Sequence, residues 1–402
     1  MGGPWRLLAR LLLTPPLLVL CVLKVESGEP AEPASTEAEQ TVMPTVPRAS
    51  VHKCVKWGEY VDQGPNSKPL YTYPLKWDAT SRNCDVVMAS DQKVRDRYRQ
   101  WEWTIPKHVA AECPTSSTQP FKIIRKRYCS ALANRSILFL GDSTQRDMFK
   151  SAVLLAIAAV NEPEILDANL TLDHDDRLPI KRVTVCRGTA HLAFVRSDRL
   201  DVYRYGKLFE SLPSVMAPDP FRKPFSNFIA NSDEFDAVVL NRGIHVVNDT
   251  YLVSGVRELA TFLDKEHRRR KRLGKHLDIF WRTTATGHKH CSRFTEPLVY
   301  RHVPSSLYGW DKVEHQNELT RSALVEVLGN RVNFVDAFEL SNLRPDRHVG
   351  YRRRVGSTIL DCLHYCLPGP PDDWNALLVT LLDGISKSRR RQAAAGSVLS
   401  EV

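Results

Sequence analysis

The chain has 402 residues, 43% of them apolar and 25% charged, which suits one large folded domain or two and excludes an unfolded, core-less chain. A formal net charge of +10 at pH 7 points to an anionic partner or surface: nucleic acid, lipid or an acidic glycan. The N-terminus narrows that set. Arg6 and Arg10 flank an apolar segment from Leu11 to Leu23, interrupted by Pro15 and Pro16. Spanning a bilayer takes about 20 apolar residues, so the segment reads as a signal h-region, with a short anchor as the alternative once Leu7 is counted in. Residues 1–25 are therefore expected to be a signal peptide or signal anchor. The rest enters the secretory pathway, secreted or held as a type II Golgi membrane protein, which removes nucleic acid as a partner.

Residues 26–50 are rich in Glu, Ala, Pro, Ser and Thr and read as a disordered stem. Residues 52–128 are dense in aromatic residues (Trp57, Tyr60, Tyr71, Tyr73, Trp77, Trp101 and Trp103) and show no long helical period. A small, loop-rich, disulfide-bearing lobe is expected there, whose rings either fill a core or stack on sugars. Eight cysteines lie beyond the signal: Cys54, Cys84, Cys113, Cys129, Cys186, Cys291, Cys362 and Cys366. An even number in an oxidising compartment reads as disulfides, with the pairing left open. Cys362 or Cys366 is expected to reach a distant partner, either Cys291 or a cysteine of the lobe. The Cys362-x-x-x-Cys366 spacing has no second pair at zinc spacing beside it, so no metal is expected. Sequons at Asn134, Asn169 and Asn248 suit a lumenal chain, although Asn134 stands close enough to a core strand that poor access is expected.

The catalytic domain is expected over 129–384. Ser136 to Leu140 is an unbroken apolar run, the pattern of a strand covered on both faces. Gly141 allows an abrupt exit, Asp142 and Ser143 suit a cap, and Met148, Ala152, Leu155 and Ala159 then recur at helical spacing. Ser143 would stand at a strand's carboxyl edge and a helix N-terminus, where open α/β sheets bind ligands. Further strands are expected over 182–186, 192–196, 237–240, 277–281 and 332–335, and helices over 250–272 and 312–328. This alternation predicts a parallel sheet covered by helices on both faces. The basic run His267 to Arg272 closes one helix, where cations suit the dipole and reach solvent.

Near the end, Asp361 and His364 are three residues apart, a spacing that puts both side chains on one face of a helical turn. A carboxylate there can fix the imidazole tautomer and leave the other ring nitrogen to take a proton from a serine. The prolines from Pro368 to Pro371 precede a helix over 374–382, and residues 385–402 read as a loose basic tail.

The pair ILFLGDSTQRD and DCLHYCLPGPPDDWN resembles the PC-esterase group of GDSL/SGNH-type enzymes, and within it the trichome-birefringence-like polysaccharide O-acetyltransferases. The blocks CVKWGEYV, KPLY, QWEW, LNRGIH, WRTTATGH and LRPDRH fit the same pattern, so the resemblance covers roughly residues 52–384. Tyr365 and Asp147 depart from the Trp and Asn usual in plant members. The resemblance implies an SGNH-type three-layer αβα sandwich with a central parallel sheet, beside the smaller disulfide-bearing N-terminal lobe. It also implies acetyl transfer to polysaccharide hydroxyls, with Ser143 as nucleophile, His364 as base and Asp361 orienting it. Asn241 matches the family's oxyanion asparagine, and Gly188, in a turn between strands, is the choice for the glycine donor. Arg146 matches the family's GDS-x-x-Arg position, and His245 and His288 fall in family-like blocks; these three are substrate-side candidates. No bound cofactor is expected; the acetyl donor is a co-substrate, and the acceptor is a glycan, an acidic one included. An acetylesterase with the same triad and a catalytically silent glycan-binding protein are the alternatives.

Overall fold

The computed structural model describes residues 58–64, 101–106, 121–160, 181–200, 229, 233–301, 305–354 and 357–399. The signal segment, the stem, Cys54, Cys84, Cys113 and Asn169 lie outside these residues. From the expected lobe, β1 (Glu59–Asp62) and β2 (Trp101–Thr104) form an antiparallel pair. Tyr60 is buried from it against the rest of the protein, edge-on to Trp103. Its hydroxyl lies 2.7 Å from the Leu340 carbonyl and 2.8 Å from Asp373 Oδ2. At least this ring is core, not a sugar platform.

After α1 (Phe121–Leu132) come β3 (Arg135–Gly141), α2 (Ser143–Val160), β4 (Lys181–Val185), β5 (Ala190–Arg196) and β6 (Ala237–Leu240). Then follow α3 (Asp249–Arg272), β7 (Asp278–Arg282), α4 (Val313–Leu328) and β8 (Val332–Val335). One sheet forms, in the order β4-β5-β3-β6-β7-β8. All neighbours are parallel except β4 and β5. That exception has a steric cause: the connection Cys186–Thr189 is a tight turn, far too short for the crossover that parallel strands need.

β3 is apolar throughout because it is covered twice. Ile137 and Phe139 enter one core with α1, α2 and the last helix, α6 (Pro370–Leu399). Leu138 and Leu140 enter the other, with Leu252, Val256 and Leu259 of α3 and Leu324 and Leu328 of α4. The result is the expected three-layer α/β arrangement, consistent with an SGNH-like fold. α2 departs from a one-sided stripe and is buried on nearly all sides through Ile157. Polar bonds cross that interface: Ser151 Oγ donates to Asp372 Oδ1 at 2.6 Å, and Asn375 Nδ2 donates to the Met148 carbonyl at 2.8 Å.

Three further expectations are corrected. The region after 385 is no loose tail, since α6 continues to Leu399. Arg389 pairs with Asp278 at 2.6 Å, and Arg135 donates to Ser386 Oγ at 2.8 Å, fixing the helix to the sheet's amino-terminal edge. In the basic run, Arg270 is buried, donating to Glu266 and to the carbonyls of Phe235 and Ile229, while Lys271 and Arg272 are exposed. Asn134 is exposed, held in a left-handed turn before β3 with its N–H bonded to the Thr189 carbonyl. Asn248, also exposed, caps α3 by accepting from the Tyr251 N–H at 2.8 Å.

Candidate active site

The turn from β3 into α2 is built around two close contacts. A Cβ at Gly141 would come within 2.8 Å of Gln145 Cβ and 3.0 Å of the Asn241 carbonyl, so only glycine fits between the helix and β6. Asp142 then caps the helix: Oδ1 accepts from the N–H of Thr144 at 2.8 Å, its hydroxyl at 2.6 Å and the N–H of Gln145 at 3.1 Å. These bonds place Ser143 at the first turn of α2, on the carboxyl edge of the sheet and mostly buried.

His364 meets it from a hairpin. β9 (His348–Arg354) and β10 (Ser357–Tyr365) pair antiparallel, and α5 (Ala337–Asn342) precedes them. Between the pairs Asp361–Gly350 and Tyr365–His348 the register slips, so Cys362, Leu363 and His364 face Val349 alone. The expected helical turn is thus an arch in a strand. Asp361 Oδ1 closes it, accepting from the N–H of Leu363 at 3.2 Å and of His364 at 3.1 Å. The arch brings the two side chains together as an i, i+3 helical pair would be. His364 Nδ1 lies 2.9 Å from Asp361 Oδ2, and its Nε2 lies 2.7 Å from Ser143 Oγ. The carboxylate selects the tautomer with the proton on Nδ1, leaving Nε2 to accept from the serine hydroxyl. The Cys291–Cys362 disulfide fastens the arch beside β7, and the His288 N–H donates to the Cys362 carbonyl at 3.0 Å. Cys129 and Cys186 are also bonded, and Cys366 is in a disulfide whose partner lies outside the described residues.

Arg282, at the end of β7, was not singled out from the sequence and is central here. Fully buried, it donates to Thr144 Oγ1 and Gln145 Oε1, both at 2.7 Å, and its guanidinium lies over the Trp374 ring. Burial pushes it down to about 10, opposed by Asp142, 3.9 Å away, so it stays a cation at neutral pH. For Asp142, burial raises the pKa, but Arg282, His245 and the bonds from Thr144 and Gln145 outweigh it and hold the carboxyl below its usual range. The outward signal in the sequence is an arginine that ends a strand directly after the apolar run Ile279–Trp281.

The other predicted residues separate into two groups. Asn241 follows β6 beside Gly141, yet its Nδ2 donates to the Arg282 carbonyl at 3.1 Å and Thr284 Oγ1 at 3.2 Å. Arg146 is half-buried on the first turn of α2, and His245 is exposed 3.8 Å from Asp198. Gly188 is a correction: it lies in the β4–β5 turn next to Ala190, which pairs with Arg135 at the start of β3, so it sits at the opposite edge from Ser143. His288 is fully buried behind the site and contacts no solvent. Its Nδ1 lies 2.7 Å from His348 Nε2 and its Nε2 lies 2.9 Å from the Asn342 carbonyl. His348 Nδ1 is in turn 3.2 Å from the His364 carbonyl, so this pair supports the base from behind.

The chain is similar in sequence to known proteins. Residues 254–381 match the PC-Esterase model, a GDSL/SGNH-like acyl-esterase family found in Pmr5 and Cas1p. The chain is homologous to trichome birefringence-like proteins: it is 26% identical to Protein trichome birefringence-like 15 of Arabidopsis thaliana over 300 residues, covering 64% of this chain and 58% of that protein. It is 26% identical to Protein trichome birefringence-like 14 of the same plant, covering 63% of this chain and 71% of the relative. With Xyloglucan O-acetyltransferase 4 of Populus trichocarpa it shares 23% identity over 345 residues, 75% of this chain and 74% of that protein.

Proposed function

We propose that the protein transfers an acetyl group to a hydroxyl of a polysaccharide through an acetyl-Ser143 intermediate. The observation that carries this is the continuous hydrogen-bonded run from Ser143 Oγ through His364 to Asp361, at 2.7 Å and 2.9 Å. Ser143 Oγ attacks the donor's carbonyl carbon while His364 Nε2 takes its proton, and Asp361 stabilises the imidazolium. The tetrahedral oxyanion forms at the N-terminus of α2, where the backbone N–H of Ser143 and the helix dipole favour negative charge. Asn241 becomes a second donor if its bond to Thr284 opens. Collapse expels the donor's leaving group, protonated by His364, and leaves the acetyl ester on Ser143. A sugar hydroxyl then gives its proton to His364 as its oxygen attacks the ester carbonyl; the bond from that carbon to Ser143 Oγ breaks, His364 returns the proton to Oγ, and the acetyl group passes to the glycan.

Homology to a xyloglucan O-acetyltransferase supports a polysaccharide over water as acceptor. The disulfides support a lumenal site of action in the secretory pathway. The test is a labelled acetyl donor supplied with and without polysaccharide. We expect slow label release alone and label on the glycan when acceptor is added. With Ser143→Ala, both are lost by a factor of about 10³ or more. Rapid deacetylation of an acetylated glycan with no transfer to any acceptor would instead make the protein an esterase. Label transfer surviving Ser143→Ala in a purified sample would remove the serine from the chemistry.

A further inference from the structure

Tyr308 is held in a conformation that its own packing does not explain. It lies in the left-handed region with φ 57°, followed by Gly309 at φ 73°, in the short turn Leu307–Lys312. A bulky side chain is uncommon there, and persists where the surroundings or a function require it. Yet the residue is 73% exposed. Beneath it lies Trp310, 5.5 Å away between centroids and almost wholly buried. Trp310 lies against Gly287, where any Cβ would come within 2.4 Å of the indole, and packs with Ile244, Leu363 and the Cys291–Cys362 disulfide. Leu363 is the residue before His364, and Ile244 follows the carboxyl end of β6. Gly309 itself rests on Val247, another exposed apolar side chain. The catalytic arch, the loop after β6 and the Tyr308 turn are therefore one packed unit, with Tyr308 as its outward ring.

We infer that Tyr308 is a stacking platform for a neutral pyranose ring of the acceptor polysaccharide, held beside the Ser143–His364 pair. This rests on the acceptor being a polysaccharide. The C–H face of a pyranose covers an aromatic ring well, and the phenol hydroxyl at the rim can bond a sugar hydroxyl. The rigid Trp310 support means that little ordering remains to be done on binding. A transferase needs such a fixed acceptor, since orientation raises the effective concentration of the sugar hydroxyl over water.

The test uses the whole protein and the variants Tyr308→Ala, Tyr308→Phe and Tyr308→Gly. De-O-acetylated xyloglucan and xylan are the acceptors and binding probes, and 4-nitrophenyl acetate is the small ester. We expect Tyr308→Ala to lower the ratio of polysaccharide transfer to small-ester hydrolysis, and the retention of the protein in polysaccharide gels, by about tenfold, with Tyr308→Phe near wild type. Tyr308→Gly relieves the left-handed backbone, so it should melt at or above wild type while losing affinity. A merely structural tyrosine would give the reverse. An unchanged ratio and retention in Tyr308→Ala overturns the platform. So does a wild-type protein that hydrolyses the ester but binds neither polysaccharide. A wild type that binds through Tyr308 but never cleaves the ester leaves the platform standing and sinks the catalytic reading.

Discussion

Replacing Arg282 by Met should separate the support of the nucleophile from the nucleophile itself. The substitution keeps an unbranched side chain over Trp374 but removes the bonds to Thr144 Oγ1 and Gln145 Oε1 and the only cation within 4 Å of Asp142 among the described residues. At 3.9 Å, with an effective dielectric constant of about 20, the attraction between the two charges is about 4 kcal/mol. Breaking a buried pair on one side costs about 3–5 kcal/mol, because the remaining carboxylate is stranded. Asp142 keeps its three bonds from Thr144 and Gln145, so we expect the lower half of that range. Urea unfolding of the purified protein should show it, and small-ester turnover should fall about 10- to 100-fold as the Ser143 turn loosens. In the double variant Asp142→Asn, Arg282→Met, no stranded charge remains, so the combined loss should fall short of the sum by about 2 kcal/mol or more. Stability within 1 kcal/mol of wild type for Arg282→Met, or strict additivity in the cycle, would refute this account of the site.

Other outcomes follow from the same contacts. Cys291→Ser opens a disulfide spanning 71 residues, which chain entropy puts at about 4 kcal/mol, and it should cost turnover as well because it releases the arch carrying Asp361 and His364; unfolding curves and ester kinetics together check this. Asp373 is pushed up to about 6 by burial, against the pull of Arg344 and the bond from Tyr60. That bond is a shared one, since the single hydroxyl proton of Tyr60 faces both the Leu340 carbonyl and Asp373 Oδ2. Through this group the folded state binds more protons than the unfolded one between about pH 4 and 6, so the stability that Asp373 contributes is full below pH 4 and falls through that window; Asp373→Asn should remove this contribution, about 1–3 kcal/mol in denaturant midpoints taken across pH. Truncation after residue 384 should cost about 1–3 kcal/mol by removing the Arg389–Asp278 and Ser386–Arg135 contacts; an unaltered urea midpoint would return the segment to the status of a tail.

What the sequence discloses here tracks where burial is symmetric. β6 is read to the residue because it is apolar on both faces and bounded by polar residues, and β8 because three of its four residues are apolar and buried or half-buried. β10 escapes notice because STILDCLHY mixes polar and apolar residues without a clean period, and its functional part is an irregular arch. The proximity of Asp361 to His364 is legible from spacing, while the backbone that achieves it is not. Gly188 is read as a site glycine because a turn glycine carries no label for which edge of the sheet it occupies; the parallel pairing of β5 with β3 decides that. The end of α6 looks like solvated charge because the anchoring contacts of Ser386 and Arg389 are with residues more than a hundred positions away. Arg282 is hidden for the same reason, since nothing local marks its partnership with the GDS turn.

The joining of the serine that opens α2 to a histidine 221 positions later also bears on the protein's biosynthesis. As the chain emerges, β3 and α2 are complete long before His364 exists, and the core that holds Ile137 and Phe139 stays open until α6 arrives to cover α2. The hydroxyl of Ser143 therefore remains an ordinary alcohol through most of synthesis. On the proposed mechanism its activation coincides with the closing of the last layer, so a half-made chain that meets an acetyl donor cannot acylate itself. The same dependence makes folding slow and non-local, and leaves the strands of the central sheet exposed to misassembly until the final helix has docked.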